Sequence, residues 1–556
     1  MYRYDDLDQQ RLHDRVAQFR DQTQRYLHGE LSDDDFRPLR LQNGLYVLRH
    51  APMLRVAIPY GLVSGEQLRR LAQVSRTYDL GPAHLTTRQN LQFNGPKLEA
   101  VPDILAELAE VQLHSIQTSG SCIRGITTDP LAGAVPDERD DPRPWCELLR
   151  QWSITHPEYT RLPRKFKIAV SGTRAGRTLL LVHDLGLELV RNEQGELGFC
   201  VLVGGGLGRW PMLGQELTPF IPWPHLLTYS EAIVRVYNLH GRRDDAAKGR
   251  LKVLVRTLGI TAFRALVEEE WASLRDGPGT LTATDVARVA RHFTAPPLDA
   301  AAPEGFVAQD SASDPAYAVW LRHNVRPHRQ GGYAIVTLSA KGPEAAPGEL
   351  TPEQLERLAD WADAYSFGEA RFSQRQNPVL APVRQRDLPA LWQAARAAGL
   401  GASHGGRLTD LVACPGGRDC DLSTIETQPV ATAIHNHFAA RTDLGELAVH
   451  LSGCINGCAH HQLGHIGLRG TEKQGQPHFQ IAIGGRAGRD TRLGETLGPA
   501  MPGAAIPTAI ETLIATYRAQ RLPGEDFSAT VQRIGATPFH HDLYGPETAA
   551  RQVAHG

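Results

Sequence analysis

Glu66-Gln67-Leu68-Arg69-Arg70-Leu71-Ala72 returns 287 residues later as Glu353-Gln354-Leu355-Glu356-Arg357-Leu358-Ala359. Carried on to Asn90 and Asn377, the two stretches align without a gap, with 12 identities in 25 positions, and both end on Arg-Gln-Asn. A second pair, Gly195 to Leu217 and Gly475 to Leu497, aligns at an offset of 280 with 9 identities in 23. The order is therefore A, B, A′, B′. A period this long is far outside the roughly 20 to 50 residues of a solenoid, so it predicts a duplicated two-domain module with pseudo-two-fold symmetry and functional sites where the copies meet.

Periodicity sets the class as α+β. In A, Leu54 to Ile58 reads as a strand, Gln67 to Tyr78 as an amphipathic helix, Leu85 to Phe93 as an alternating strand and Val101 to Leu108 as a second helix. In B, strands are expected at Lys167 to Val170, Leu179 to Val182 and Phe199 to Val203, with a helix over Tyr229 to Tyr237, giving a larger mixed sheet. The expected division is an N-terminal arm over 1–45, A over 46–115, B over 116–275, a connection over 276–325, A′ over 326–400 and B′ over 401–556. Within the connection, Asp276 to Ser313 is rich in Pro, Ala, Thr and Asp.

The chain has 556 residues and a net charge of -2, with 22% charged and 41% hydrophobic residues, so neither a basic nucleic-acid surface nor an acidic disordered tail is expected. Its start lacks the apolar core of a signal peptide, and no run reaches the ~18 apolar residues of a membrane span. Seven cysteines are too few and too odd in number for a disulfide framework, so a reducing, cytoplasmic compartment is expected. Only seven of the 59 cations are lysines, and Lys165 and Lys167 lie two apart.

Four cysteines fall in two short clips, Cys414 with Cys420 and Cys454 with Cys458. Thiolates so grouped, among small residues such as Gly416, Gly417, Gly453 and Gly457, suit an iron–sulfur centre; zinc, which favours closer pairs, and unliganded buried thiols are the alternatives. In B the position of Cys454 is held by Thr173, so the first copy has no cluster of its own. It offers instead Arg164-Lys165-Phe166-Lys167, whose two lysines share a face; a lysine's pKa is tunable where an arginine's is not. Arg55, Arg88 and Arg124 are further candidate cations, and Arg88 has a counterpart in Arg375. Val203 to Arg209 looks like a dinucleotide loop, but Arg209 stands where the third glycine belongs, so a structural turn or cofactor wall is expected. The His-rich run His460, His461 and His465 beside Cys458 is read as ordering the cluster surroundings.

Together, the A-B-A′-B′ order, the two cysteine clips, Thr86-Thr87-Arg88-Gln89-Asn90 and Arg164-Lys165-Phe166-Lys167 resemble the sirohaem- and 4Fe–4S-dependent sulfite and nitrite reductases, in particular bacterial assimilatory sulfite reductase haemoprotein subunits. The resemblance implies ferredoxin-like half-domains A and A′. It implies that Cys414, Cys420, Cys454 and Cys458 ligate the cluster, with Cys458 also bridging to the sirohaem iron. It assigns Arg55, Arg124, Lys165 and Lys167 to the substrate anion, and Arg88, Gln92 and Asn456 to the sirohaem surroundings. Lys167 favours sulfite, because nitrite reductases of the family tend to have asparagine there. Gly125, His84 and Ile455 depart from the family pattern. The expected electron donor is a separate protein, ferredoxin or a flavoprotein; nitrite reduction, a precorrin-modifying monooxygenase and a metal-stabilised binding protein are the other readings. Cys122, Cys146 and Cys200 receive no role beyond buried thiols.

Overall fold

In the computed structural model, which describes residues 1–48, 52–154, 156–299, 314–342 and 345–545, the repeated stretch folds into matched helices, Gly65–Thr77 and Pro352–Tyr365. Each begins in a capping box, Ser64 with Gln67 and Thr351 with Gln354, which satisfies the orphan N–H groups of the first turn. Their apolar stripes, Leu68, Leu71 and Ala72 against Leu355, Leu358 and Ala359, are fully buried in one core shared by both half-domains. On the outside, Arg69 pairs with Asp360 and Asp363, and Arg76 with Glu353 and Glu356.

The strand before each helix leaves its own half. Leu62–Ser64 pairs antiparallel with Glu369–Phe372 and so joins the second sheet, while Glu349–Leu350 pairs with Ala83–Leu85 and joins the first. The first sheet thus runs Leu45–Val47, Pro52–Val56, Leu91–Asn94, Ala83–Leu85, Glu349–Leu350. The second runs Val325–Pro327, Tyr333–Thr337, Pro378–Arg384, Glu369–Phe372, Leu62–Ser64. Because the crossing is reciprocal, the shared core cannot be divided without unpairing both edges. Leu358→Ala should therefore lower the stability of the whole pair by about 2–5 kcal/mol, the usual cost of emptying a buried leucine site. Arg76→Ala, on the exposed rim of the same seam, should leave the denaturation midpoint unmoved. Urea unfolding followed by circular dichroism distinguishes the two.

The larger domains repeat the same pattern. Ile168–Ser171 lies parallel to Leu185–Arg191, followed antiparallel by Leu197–Val203 and Gln215–Pro222. In the second copy Val449–Ser452 lies parallel to Ile466–Lys473, with Gln476–Ile483 next to it and the two-residue strand Val412–Ala413 on the opposite edge. The helices Leu226–His240 and Ile506–Gln520 contribute to separate cores. The N-terminal segment forms two helices, Asp6–Leu27 and Asp33–Gln42, that place Phe19 and Phe36 in the half-domain core, and the Met1 amino group donates to the His292 carbonyl at 2.9 Å. The region expected as a connection carries the helix Ala283–Ala290, with Val289 in the first large core; residues 300–313 lie outside the described residues.

Two sequence expectations need correction. Leu85 to Phe93 is not one strand: Ala83–Leu85 and Leu91–Asn94 are joined by a turn in which Gln89 has φ 61° and bonds to Phe372 O and Thr128 N. Leu179 to Val182 is not a strand either. Leu179 is left-handed and Leu180–Val182 forms a 3-10 turn, its apolar side chains packed towards Leu463 of the other half.

Candidate active site

The cations stand on a first strand and on the turns and segments beside the strands. Arg55, on Pro52–Val56, donates to Thr118 O at 3.1 Å and to Gln92 Oε1 at 3.3 Å. Arg124 donates to the same Thr118 carbonyl at 2.7 Å and to Gly120 O at 2.9 Å. Arg88, on the Thr86–Asn90 turn, donates to Gly125 O at 2.7 Å and to His183 Nε2 at 2.9 Å. Since an arginine cannot accept, His183 is neutral with its proton on Nδ1, where it donates to Leu179 O at 2.8 Å. Burial, followed by Arg88, pushes the His183 pKa well down, in agreement. Lys165 and Lys167 flank the fully buried Phe166, which is held by Cys122 O and, through its own carbonyl, by Arg124 N.

All five cations are half-buried, and among the described residues none forms an ion pair. The carboxylate at hand, Asp184, is taken by Arg250 at 2.8 Å and by the Lys167 N–H at 2.9 Å. Like charges without compensation disfavour protonation, so the lysine pKa values fall: for Lys165 through burial, Arg124 and Arg250; for Lys167 through burial, Arg88 and Lys165. Arg88 comes down to about 9, through burial and Arg124. The counterpart Arg375 is different, because it is paired with Asp410 at 2.9 Å, where the first copy has Gly125.

The two cysteine clips meet in the second large domain. Cys414 follows the strand Val412–Ala413, and Cys454 follows Val449–Ser452. The clips are in direct backbone contact: a Cβ on Gly453 would lie 3.0 Å from Gly416 Cα, and Ser423 Oγ donates to Gly453 O at 2.8 Å. Gly453 N donates to Cys414 Sγ at 3.2 Å, and the backbone N–H groups of Leu422 and Asn456 reach Cys420 and Cys454. Burial, followed by Cys458, raises the Cys414 pKa, so the Cys414 thiol holds its proton more tightly than a free cysteine until a cation is supplied. Among the described residues, no set of three or more His, Cys, Asp and Glu side chains converges on one point as a single zinc ion would need.

Strand register shows what stands at the mirrored positions. Ser171 pairs with Glu188 as Ser452 pairs with Arg469, an offset of 281, so Thr173 answers Cys454 and Arg177 answers Cys458. The Thr128 N–H is held by Gln89 Oε1 as Ala413 N is by Gln376 Oε1, which aligns Asp129 with Cys414. There Arg177 bonds Asp129 at 2.6 Å and Asp137 at 3.2 Å, and Thr173 donates to Asp137 at 2.6 Å. An ion-paired polar knot thus occupies the place of the second set of thiols.

The halves touch across this seam. Thr87 Oγ1 donates to Cys458 O at 2.7 Å, and the glycine-rich loops cross over: Gly208 approaches Asn456 O, while a Cβ on Gly176 would lie 2.1 Å from Gly488 C. The run Val203 to Arg209 is therefore a turn laid on the Cys454–Cys458 loop, pinned by Lys252, whose Nζ donates to Leu207 O at 2.9 Å and Trp210 O at 2.5 Å. Gln92 and Asn456 lie with these groups, Asn456 through its bonds to Cys454. His84 is buried and shares a hydrogen bond with Gln376 at 3.2 Å; burial lowers its pKa to about 3. Residues not anticipated are Tyr46, over which Arg55 lies at 5.3 Å, and His183, Asp184 and Arg250. Arg250 sits between Lys248 and Lys252, two of the seven lysines, a signal the sequence did contain.

The donor set fits the groups the resemblance implies. Five uncompensated cations, with Arg55 Nε and His84 Nδ1 buried and unpartnered, suit a polycarboxylate macrocycle and a small oxyanion; thiols fed by backbone N–H groups suit an iron–sulfur cluster. Among the described residues, no helix is long and apolar enough to cross a membrane.

Known proteins share this arrangement. The family description "Nitrite and sulphite reductase 4Fe-4S domain" matches residues 119–274 and 404–548, and "Nitrite/Sulfite reductase ferredoxin-like half domain" matches 49–111 and 326–398. Ferredoxin–nitrite reductase of Synechococcus elongatus is 32% identical over 481 residues, covering 83% of this chain and 85% of that protein. Sulfite reductase (ferredoxin) 1 of Mycolicibacterium paratuberculosis is 29% identical over 499 residues, covering 86% and 82%. The solved structure of Mycobacterium tuberculosis NirA is similar with a TM-score of 0.76 and 25% identity over 92% of both chains.

Proposed function

The chain belongs to the nitrite and sulfite reductase family, oxidoreductases that carry sirohaem and a 4Fe–4S cluster, and from that premise we propose that it reduces sulfite to sulfide in sulfur assimilation. The observation that carries the choice is the pair Lys165 and Lys167 beside Phe166, whose carbonyl accepts from Arg124 N, with no ion pair to either lysine among the described residues. Sulfite is partly a dianion near neutrality and nitrite a monoanion, so each added cation favours sulfite more. Cys414, Cys420, Cys454 and Cys458 would hold the cluster, Cys458 shared with the sirohaem iron, and Arg88, Gln92 and Asn456 would face the macrocycle. When bound, these groups supply an iron that takes the anion and a path for electrons arriving singly.

The protein's own part is charge and protons. Arg55 and Arg124, both anchored on Thr118 O, present fixed guanidinium groups to the oxyanion. Lys165 and Lys167, with ammonium acidity increased by burial and neighbouring cations, deliver protons as oxygen leaves as water. Reducing hydrogensulfite to hydrosulfide consumes six electrons and six protons and releases three waters, so proton supply is needed at every stage. His183 and Asp184 hold Arg88, Arg250 and the Lys167 backbone in register. The relatives named for ferredoxin favour a ferredoxin-type donor over a flavoprotein.

With reduced viologen as donor, kcat/KM is expected to be higher for sulfite than for nitrite by about tenfold or more; the reverse preference overturns the choice of substrate. Lys167→Asn should shift that ratio towards nitrite. Nitrite reduction is the second reading, supported by the name of the Synechococcus relative. A visible spectrum with metal analysis separates both from a monooxygenase or a binding protein, neither of which is expected to hold sirohaem.

A further inference from the structure

A cavity of about 690 Å³ lies between the N-terminal helices and the Gln117–Cys122 loop. Arg11, Arg15, Arg161 and Arg243 line it, and its one lining carboxylate is Asp8, already 3.9 Å from Arg11 and bonded by Tyr2 Oη at 3.2 Å. A fifth lining cation, Arg150, is neutralised by Glu147 at 2.6 Å.

Arg15 stands out. Among the described residues its guanidinium bonds only neutral amides, Asn43 Oδ1 at 3.1 Å, Gln42 Oε1 at 2.8 Å and Gln18 Oε1 at 2.9 Å, with no carboxylate in ion-pair reach, and burial lowers its pKa. Three amide oxygens fix its plane, which is how a protein pre-orients an arginine for an anion. Two further lining groups, Tyr4 Oη and His156 Nδ1, are buried without a hydrogen-bond partner. Leaving a buried polar atom without a partner is costly, so both are positioned to receive a ligand atom. The volume falls within the range of organic-ligand pockets, far above what a bare oxyanion fills, and Leu12 and Leu39 give it an apolar wall.

We propose that this cavity is a second anion site, separate from the substrate pocket, that takes a phosphate or sulfate monoester. The charged head sits against Arg15, Arg161 and Arg243, and the body lies on the apolar wall. Its occupant would rest on one side of the loop whose Thr118 and Gly120 carbonyls anchor Arg124 on the other.

The test is calorimetry on the cofactor-loaded enzyme with adenosine 5′-monophosphate and, separately, inorganic phosphate. The nucleotide should bind one-to-one and at least about tenfold tighter than phosphate. Arg15→Met, and independently the surface pair Arg161→Met with Arg243→Met, whose exposed positions do not threaten folding, should each weaken it by about tenfold or more. Lys165→Met should leave it unchanged. Binding that Lys165→Met removes and the cavity variants keep would place the anion in the substrate pocket and overturn the site. Equal affinity for the two probes would overturn the monoester assignment, and no saturable binding of either at millimolar concentration would overturn the proposal entirely.

Discussion

Cys458→Ser protein is expected to lose at least about 10³-fold in turnover, together with the spectroscopic coupling between haem and cluster and part of its iron. Three features meet in Cys458. It lies on the loop gripped by Thr87 from the other half, its charge reaches Lys165, and it shares the clip whose Asn456 N–H feeds Cys454. A serine alkoxide is a poor match for iron that prefers thiolate. The control is Arg177→Ala at the mirrored position. It should leave iron content untouched while destabilising the fold by about 3–5 kcal/mol, because Asp129 is left as a buried, unpaired carboxylate. Full activity in Cys458→Ser, or iron loss in Arg177→Ala, would falsify the assignment of the two loops.

Lys165→Met and Lys167→Met should both assemble with normal spectra and then turn over about 10²- to 10³-fold more slowly, the range for loss of a positioned acid or of an electrostatic partner. The pH profile adds a sign. An ammonium acid is competent below its pKa, so the wild-type rate falls as pH rises through that value. With the lysine pKa values lowered by burial and by Arg124 or Arg88, the fall comes at lower pH than for an ordinary lysine. In whichever variant removes the proton donor, that alkaline limb should flatten. A variant that keeps the wild-type rate and limb removes its lysine from the chemistry.

How far the molecule was legible varies with the physics of each element. The duplication was readable because a buried helical stripe such as Leu68, Leu71 and Ala72 and a cap such as Ser64 with Gln67 must recur wherever the helix recurs. The exchanged strands were not: Leu62–Ser64 and Glu349–Leu350 are too short to show alternation. Gln89 misled because a left-handed glutamine, held by bonds to the other half, looks in sequence like one more polar position of a strand. The cluster clips and Arg-Lys-Phe-Lys stood out through residue scarcity, whereas Arg250 and Asp184 serve the pocket from 66 residues apart. The polar knot of Asp129, Asp137, Thr173 and Arg177 became visible only once strand register had aligned the copies.

The exchanged strands bear on electron flow as well as on stability. Glu349, on one of them, pairs with Arg418 of the first cysteine clip, and Phe372, at the end of the strand on which the other lies, accepts from Gln89 across the halves. Hinge motion between the halves would break these ties, so the dipoles at the seam are held in place during the proposed six-electron reduction. Fixed dipoles mean a small reorganisation energy, and the interlock that makes the fold indivisible also makes each successive electron transfer meet the same surroundings as the first.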